Sequence, residues 1–158
     1  MIRAYQEEDK GALVELLKLN TPKYFDPSEL SEFMTYLDQE REDYFVYELA
    51  DQGILGAGGI NRFDNGKTGR ISWDFVHPQF HGKGIGGQLL RYRLNLLKED
   101  PKIEKVVVRT AQFTCRYFEK FGFELMRVEE DYWSKGYHLY YMEYQYLSET
   151  NEIYEKVT

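Results

Sequence analysis

The chain is poor in the residues that mark secreted and metal-binding proteins. Its one cysteine, Cys115, cannot form an internal disulfide, and its three histidines show no close ligand spacing, so the sequence offers neither a disulfide framework nor a metal site. No apolar run approaches the roughly 20 residues that a bilayer-spanning helix needs. Positive charge is also short, with 20 Lys and Arg against 27 Asp and Glu and a net charge of -7 at pH 7. This excludes the cationic surface that drives nonspecific nucleic-acid binding by counterion release. The opening Ile2-Arg3-Ala4-Tyr5, followed by acids, holds neither a secretory apolar region nor an Arg-rich transit segment. Together with the lone thiol, these absences point to a cytoplasmic protein with no membrane or nucleic-acid partner. The acidic balance serves solubility and also favours a cationic small substrate.

What is present reads as one domain. A chain of 158 residues can bury roughly two thirds of its unfolded surface around a single core. Ile2 to Tyr5 reads as a strand, and Leu13, Leu16 and Leu17 mark a helix over Asp9 to Leu19. Asp26 is the expected N-cap of a second helix with Pro27 at its first position, leading into Phe33, Met34 and Leu37. Tyr44 to Leu49, Ile54 to Phe63 and Arg70 to Val76 read as an antiparallel meander turned at Asp51-Gln52-Gly53 and Asp64-Asn65-Gly66. Leu90, Leu94 and Leu97 mark a helix stopped at Asp100-Pro101, and Ile103 to Val108 is an apolar strand, which together make a βαβ unit. A short helix from Ala111 to Phe121 ends at Gly122, and strands follow near Phe123 to Glu129 and His138 to Tyr146. The domain is expected over residues 1 to 147, with 148 to 158 as a peripheral tail.

The segment Gly82-Lys83-Gly84-Ile85-Gly86-Gly87 satisfies G-x-G-x-x-G, yet its context is wrong for a dinucleotide fold. His77 to His81 separate it from the preceding strand, and the position where a ribose-binding acid would fall, near 107, is Val within a strand. The phosphate-loop pattern fails as well, because Lys83 is not followed by Ser or Thr. What such sites share survives: residues without a β-carbon let backbone approach a pyrophosphate, and the first N–H groups of a helix beginning near Gly84 point at the anion. A tight turn alone would need only one or two glycines.

Val76-His77-Pro78-Gln79-Phe80-His81-Gly82-Lys83-Gly84-Ile85-Gly86 resembles the coenzyme A-binding motif of the GNAT family N-acetyltransferases, V-x-P followed by Q/R-x-x-G-x-G/A. Tyr117-Phe118-Glu119-Lys120-Phe121-Gly122-Phe123 is similar to the F-Y-E-K-x-G-F block that closes the family's fourth helix. The resemblance runs over roughly residues 1 to 147. It implies an α/β fold of one domain, with a mixed, mostly antiparallel central sheet, about four flanking helices and a parallel strand pair at the coenzyme site. It implies acetyl-coenzyme A as cosubstrate without a metal, bound by Phe75, Val76, His81, Gly82, Lys83, Gly84, Ile85, Gly86, Gly87 and Phe118. The implied reaction is acetyl transfer to a primary amine of a small molecule or peptide, by direct attack on a thioester polarised by the Val76 N–H. An acetyl-coenzyme A-binding sensor without turnover, or a dinucleotide-binding protein, is the alternative.

Two departures bear on the chemistry. His81 occupies the Gln/Arg slot, and Phe118 stands where many members carry a tyrosine acid; Ala111 replaces the Asn that often precedes that helix. Tyr117, about 100° around the helix, is the remaining candidate acid. A thiolate with a pKa of roughly 8.5 departs near neutral pH with little protonation, whereas a lysine-like amine with a pKa near 10.4 needs a base. Strand alternation places Ser72 and Asp74 on the face of Val76, unless a bulge close to the coenzyme, usual in the family, shifts the parity, and Asp74 is the expected base, acting directly or through water. Cys115 reads as a small core residue and His77 as a solvent or phosphate contact. The resemblance places the acceptor between Tyr24, Phe25 and Asp26 and the loop Tyr132 to His138. The run Glu129-Glu130-Asp131 reads first as a solvated face, and the 14 tyrosines suit an amphipathic pocket or a homodimer surface equally.

Overall fold

A computed structural model describes residues 1–148. The elements in chain order are β1 (Ile2–Ala4), α1 (Lys10–Leu19), α2 (Glu29–Thr35), β2 (Asp43–Leu49), β3 (Gly53–Phe63), β4 (Thr68–Val76), α3 (Ile85–Glu99), β5 (Lys105–Thr110), α4 (Cys115–Lys120), β6 (Phe123–Ser134) and β7 (Tyr137–Tyr144). The strands follow the order β1-β2-β3-β4-β5-β7-β6, a mixed sheet that bears out the α/β class. The chain divides into two compact units, one of Met1–Asn61 and Ser72–Arg93, the other of Arg62–Ile71 and the chain from Leu94 on.

In the first unit β1 and β2 pair antiparallel, as do β2 and β3, with a register shift between Tyr47 and Glu48. The apolar stripe predicted on α1 is buried: Leu13, Leu16 and Leu17 join Phe33, Tyr36, Leu37, Tyr44, Val46, Ala57 and Phe75 in one core. Burying such side chains stabilises by about 1.5–3 kcal/mol each before entropy is counted. Regular α2 begins at Glu29, two residues later than the expected start at Pro27, and one wide turn, Tyr36–Glu40, extends its end.

In the second unit the start of β4 pairs parallel with β5, from Thr68 opposite Lys105 to Ile71 opposite Val108. Parallel neighbours require a crossover, and α3 supplies it. β5 and β6 each pair antiparallel with β7. The expected helix from Ala111 is split into a 3-10 turn, Gln112–Thr114, and the short α4. β6 runs on to Ser134 and β7 stops at Tyr144, so the last hairpin is longer and ends earlier than its sequence pattern indicates. Of the expected tail only Ser148 lies within the described residues. Among the described residues no helix is long and apolar enough to cross a membrane.

Candidate functional site

β4 ends at Val76, and the chain then enters a 3-10 turn, Pro78–Phe80, capped by His77, whose Nδ1 accepts from the Gln79 N–H at 3.1 Å. Gly82 and Gly84 follow with φ of 78° and 85°, the left-handed region in which a β-carbon is disfavoured. A β-carbon at either position would meet nothing within 4 Å, so the glycines serve backbone conformation and an open approach rather than packing. The first bond of α3 runs from the Gln88 N–H to the Gly84 carbonyl at 3.0 Å, leaving the N–H groups of Ile85, Gly86 and Gly87 without intrahelical acceptors. Residues 81 to 84 are exposed, while Ile85, Leu89 and Leu90 anchor the helix in the core. The result is a row of donors at the positive end of a 15-residue helix, which fits a pyrophosphate.

Two side chains fix the strand end beside these donors. The Val76 carbonyl accepts from His81 Nε2 at 2.9 Å and from Asn20 Nδ2 at 3.2 Å. Because a carbonyl can only accept, His81 Nε2 is the donor of this bond. That ring lies 5.5 Å from the ring of Tyr24, in the segment expected to wall the acceptor. Asn20, buried at the end of α1 and also donating to the Leu16 carbonyl, escaped sequence reasoning because a polar residue ending a helix reads as a solvated cap. Lys83 stays exposed, its Nζ 5.9 Å from the Phe80 ring. Phe75 is turned into the core against Phe25 and Phe33.

The expected alternation along β4 does not hold. Trp73 has φ of 50°, a left-handed residue inside a strand, and its carbonyl accepts from the buried Tyr44 hydroxyl at 2.7 Å. Regular pleating places Ser72 and Asp74 on one face; the bulge separates them. Ser72 faces the Tyr36 hydroxyl, and Trp73 and Phe75 both pack against Phe33. Asp74 turns instead toward α3, where Arg93 Nη1 and Nη2 donate to its two oxygens at 2.5 and 2.7 Å. The carboxylate expected as a base is therefore engaged by a guanidinium that is itself 0% exposed.

Glu29 is a buried carboxyl of the same unit. Asp26 Oδ2 accepts from the Ser28 N–H at 2.9 Å and Glu29 Oε2 accepts from the Asp26 N–H at 2.8 Å, a reciprocal cap. Glu29 is 7% exposed, and burial pushes its carboxyl up to about 7, with Asp26 and Glu32 adding to the effect against the opposing Asp26 N–H. Phe25 and Phe33 flank it at four-residue spacing, and both rings pack on Trp73, at 6.2 and 5.1 Å. The D-x-x-E spacing was the available signal for the cap; nothing in it signalled burial.

The second unit holds the other expected residues. Phe118 is buried against Phe123, and Tyr117 packs its ring against Phe118 and Phe121 at 5.2 and 5.0 Å. Burial, with Glu119 nearby, pushes the Cys115 thiol up, the opposite of an activated nucleophile. The β6–β7 connection is fastened to the α4 approach: Gln112 donates to the Gly136 carbonyl at 2.7 Å and accepts from the His138 N–H at 3.0 Å. Trp133 donates to the Thr110 carbonyl at 3.2 Å. Within the acidic run, Asp131 accepts from the Gly136 N–H at 2.7 Å and Glu129 pairs with Arg127, so two of the three acids have local partners.

The sequence profile of the acetyltransferase (GNAT) family matches residues 12–123. No curated protein matches the chain in sequence. A structure assigned to the GNAT acetyltransferases from Desulfovibrio desulfuricans superposes with a TM-score of 0.76 at 15% identity, covering 92% of this chain and 98% of its own. An aminoglycoside 6′-N-acetyltransferase complexed with coenzyme A gives 0.72 at 14% identity, with 90% and 95% covered. A spermidine N-acetyltransferase chimera from Vibrio cholerae and hSSAT gives 0.69 at 18% identity, with 94% and 95% covered. At these identities the likeness is one of fold.

Proposed function

The chain belongs to the GNAT acetyltransferase family, and on that premise we propose that it transfers an acetyl group from acetyl-coenzyme A to a primary amine. The observation that carries this reading is the run of N–H groups at Ile85 to Gly87, opened by Gly82 and Gly84 at positive φ. Amides in that arrangement bind a pyrophosphate without rearrangement, and a β-carbon would obstruct the approach. His81, Gly82, Lys83 and Gly84 border the phosphates, and Val76 offers its backbone N–H to the acyl carbonyl. When bound, the coenzyme supplies an activated acyl group on a sulfur that leaves readily.

In the reaction the amine nitrogen bonds to the acyl carbon, the carbon–sulfur bond breaks, sulfur departs with the electron pair as a thiolate, and the amine loses a proton. We assign that proton to Glu29, directly or through water. A carboxyl held at about 7 is matched to accept a proton near neutral pH. Its flanking rings cover the bulge of β4 next to Val76. Asp74, whose oxygens are spent on Arg93, is assigned to positioning. The thiolate leaves without a dedicated acid, in keeping with Phe118 in the tyrosine slot.

A cationic acceptor suits the net charge of -7. Two of the structural neighbours are named for aminoglycoside and spermidine acetylation, and both ligand classes carry primary amines. The test is acceptor-dependent thiol release with acetyl-coenzyme A over a panel of polyamines, aminoglycosides, amino acids and N-terminal peptides. Turnover with at least one acceptor supports the reading. Tight coenzyme binding with no thiol release across the panel favours a second reading, a coenzyme-binding module without turnover, for which Phe118 is the supporting feature.

A further inference from the structure

Acetyl transfer needs no buried cation, yet α3 carries one. Arg93 is fully buried and joins three elements: its guanidinium forks onto both oxygens of Asp74 on β4, Nη1 also donates to the Gly59 carbonyl of β3 at 3.0 Å, and Nε to the Leu89 carbonyl of α3 at 3.0 Å. Space for it depends on Gly58, where a β-carbon would stand 2.5 Å from Nη1. A buried ion pair adds little net stability over apolar packing of the same volume, because desolvation cancels most of the attraction. What it does supply is geometry. The guanidinium is planar, and its bidentate pairing fixes both distance and angle between the groups it joins.

Both joined elements belong to the coenzyme site. α3 begins with the N–H groups of Ile85 to Gly87, and Asp74 stands between the bulge residue Trp73 and the strand end at Val76. We propose that Arg93 is a positioning residue for acetyl transfer: through Asp74 it sets the separation between the phosphate-binding start of α3 and the acyl-facing end of β4. The inference rests on the acetyl-coenzyme A reading. A coenzyme that is held at its phosphates and at its thioester reports that separation directly.

The experiment compares two ligands by calorimetry: acetyl-coenzyme A, which spans both contacts, and 3′-phosphoadenosine 5′-diphosphate, which carries the phosphates without the pantetheine and thioester. Arg93→Lys keeps the charge but cannot fork onto two oxygens. It is expected to weaken acetyl-coenzyme A about tenfold while changing the fragment by less than about twofold, and Arg93→Met to widen that difference. Equal loss for both ligands, or no loss for either, overturns the proposal, since a merely structural residue moves the two together. If Arg93→Met does not fold, Asp74→Asn, which keeps the shape and removes the charge, makes the same comparison. Failure of the unaltered protein to bind acetyl-coenzyme A is a separate outcome that removes the acetyl-transfer reading and this inference with it.

Discussion

His81 reaches back five positions to Val76, its imidazole Nε2 donating to the Val76 carbonyl at 2.9 Å. The side chain in the Gln/Arg slot of the motif thus faces back to the strand end, and it ties the glycine turn to the end of β4. His81→Ala removes that donor and is expected to weaken acetyl-coenzyme A by roughly 3- to 10-fold, the worth of one hydrogen bond. His81→Gln, which retains an N–H donor, is expected to recover part of the loss. Calorimetry on the two variants checks both, and equal affinities for wild type and His81→Ala would show that the ring does not hold the turn.

Gly84 has φ of 85° and opens α3. A β-carbon there costs about 1–2 kcal/mol in backbone strain and also stands in front of the helix amides. Gly84→Val is therefore expected to lower coenzyme affinity by more than about tenfold, well beyond what its change in thermal midpoint accounts for. Affinity that falls only in step with stability would locate the phosphates elsewhere.

The Glu29 carboxyl is raised from 4.5 to about 7 by burial. A raised acid holds its proton in the folded protein over a range where the unfolded chain has released it, so this group favours folding at low pH, and its contribution falls as pH climbs from about 4.5 to about 7. Glu29→Gln, which cannot ionise, is expected to flatten the decline in stability across that window and to be more stable than wild type above it. Urea midpoints at pH 5, 6, 7 and 8 measure this. As the proposed proton acceptor, the same variant is expected to lose roughly 100-fold or more in turnover with coenzyme affinity unchanged. Full activity together with the flattened stability profile would leave Glu29 buried but without a part in the chemistry.

Tyr117 packs against Phe118 and Phe121, and the leaving thiolate needs little help. Tyr117→Phe is expected to reduce turnover by no more than about tenfold, with a smaller effect at high pH, where the thiolate is the better leaving group. A loss well beyond tenfold at neutral pH that fades as pH rises would assign the hydroxyl a proton-donating role.

Tyr44 donates to the carbonyl of Trp73, the residue whose φ of 50° makes the β4 bulge. Tyr44→Phe leaves that carbonyl without this partner and is expected to cost about 1–3 kcal/mol of stability. An unchanged urea midpoint would show that the bulge is held by packing alone.

The amino-acid sequence by itself determined the glycine turn that opens α3, the family and the order of elements. These features are local: Gly82, Gly84 and the start of α3 lie within a few residues of one another, and backbone conformation, helix polarity and absent β-carbons act at that range. Apolar spacing likewise marked α1 and the crossover that β5 requires. Tertiary structure decided which side chains meet. Alternation assigns a face only while a strand is regular, and one left-handed residue, Trp73, separated Ser72 from Asp74, whose carboxylate meets Arg93, 19 positions along the chain. Glu29 carried a capping signal in sequence, but its raised carboxyl came from burial, in a unit where Phe25 and Phe33 pack against β4. Neither a buried counterion nor a desolvated acid is encoded in any short stretch, because both depend on surfaces that distant segments bring together.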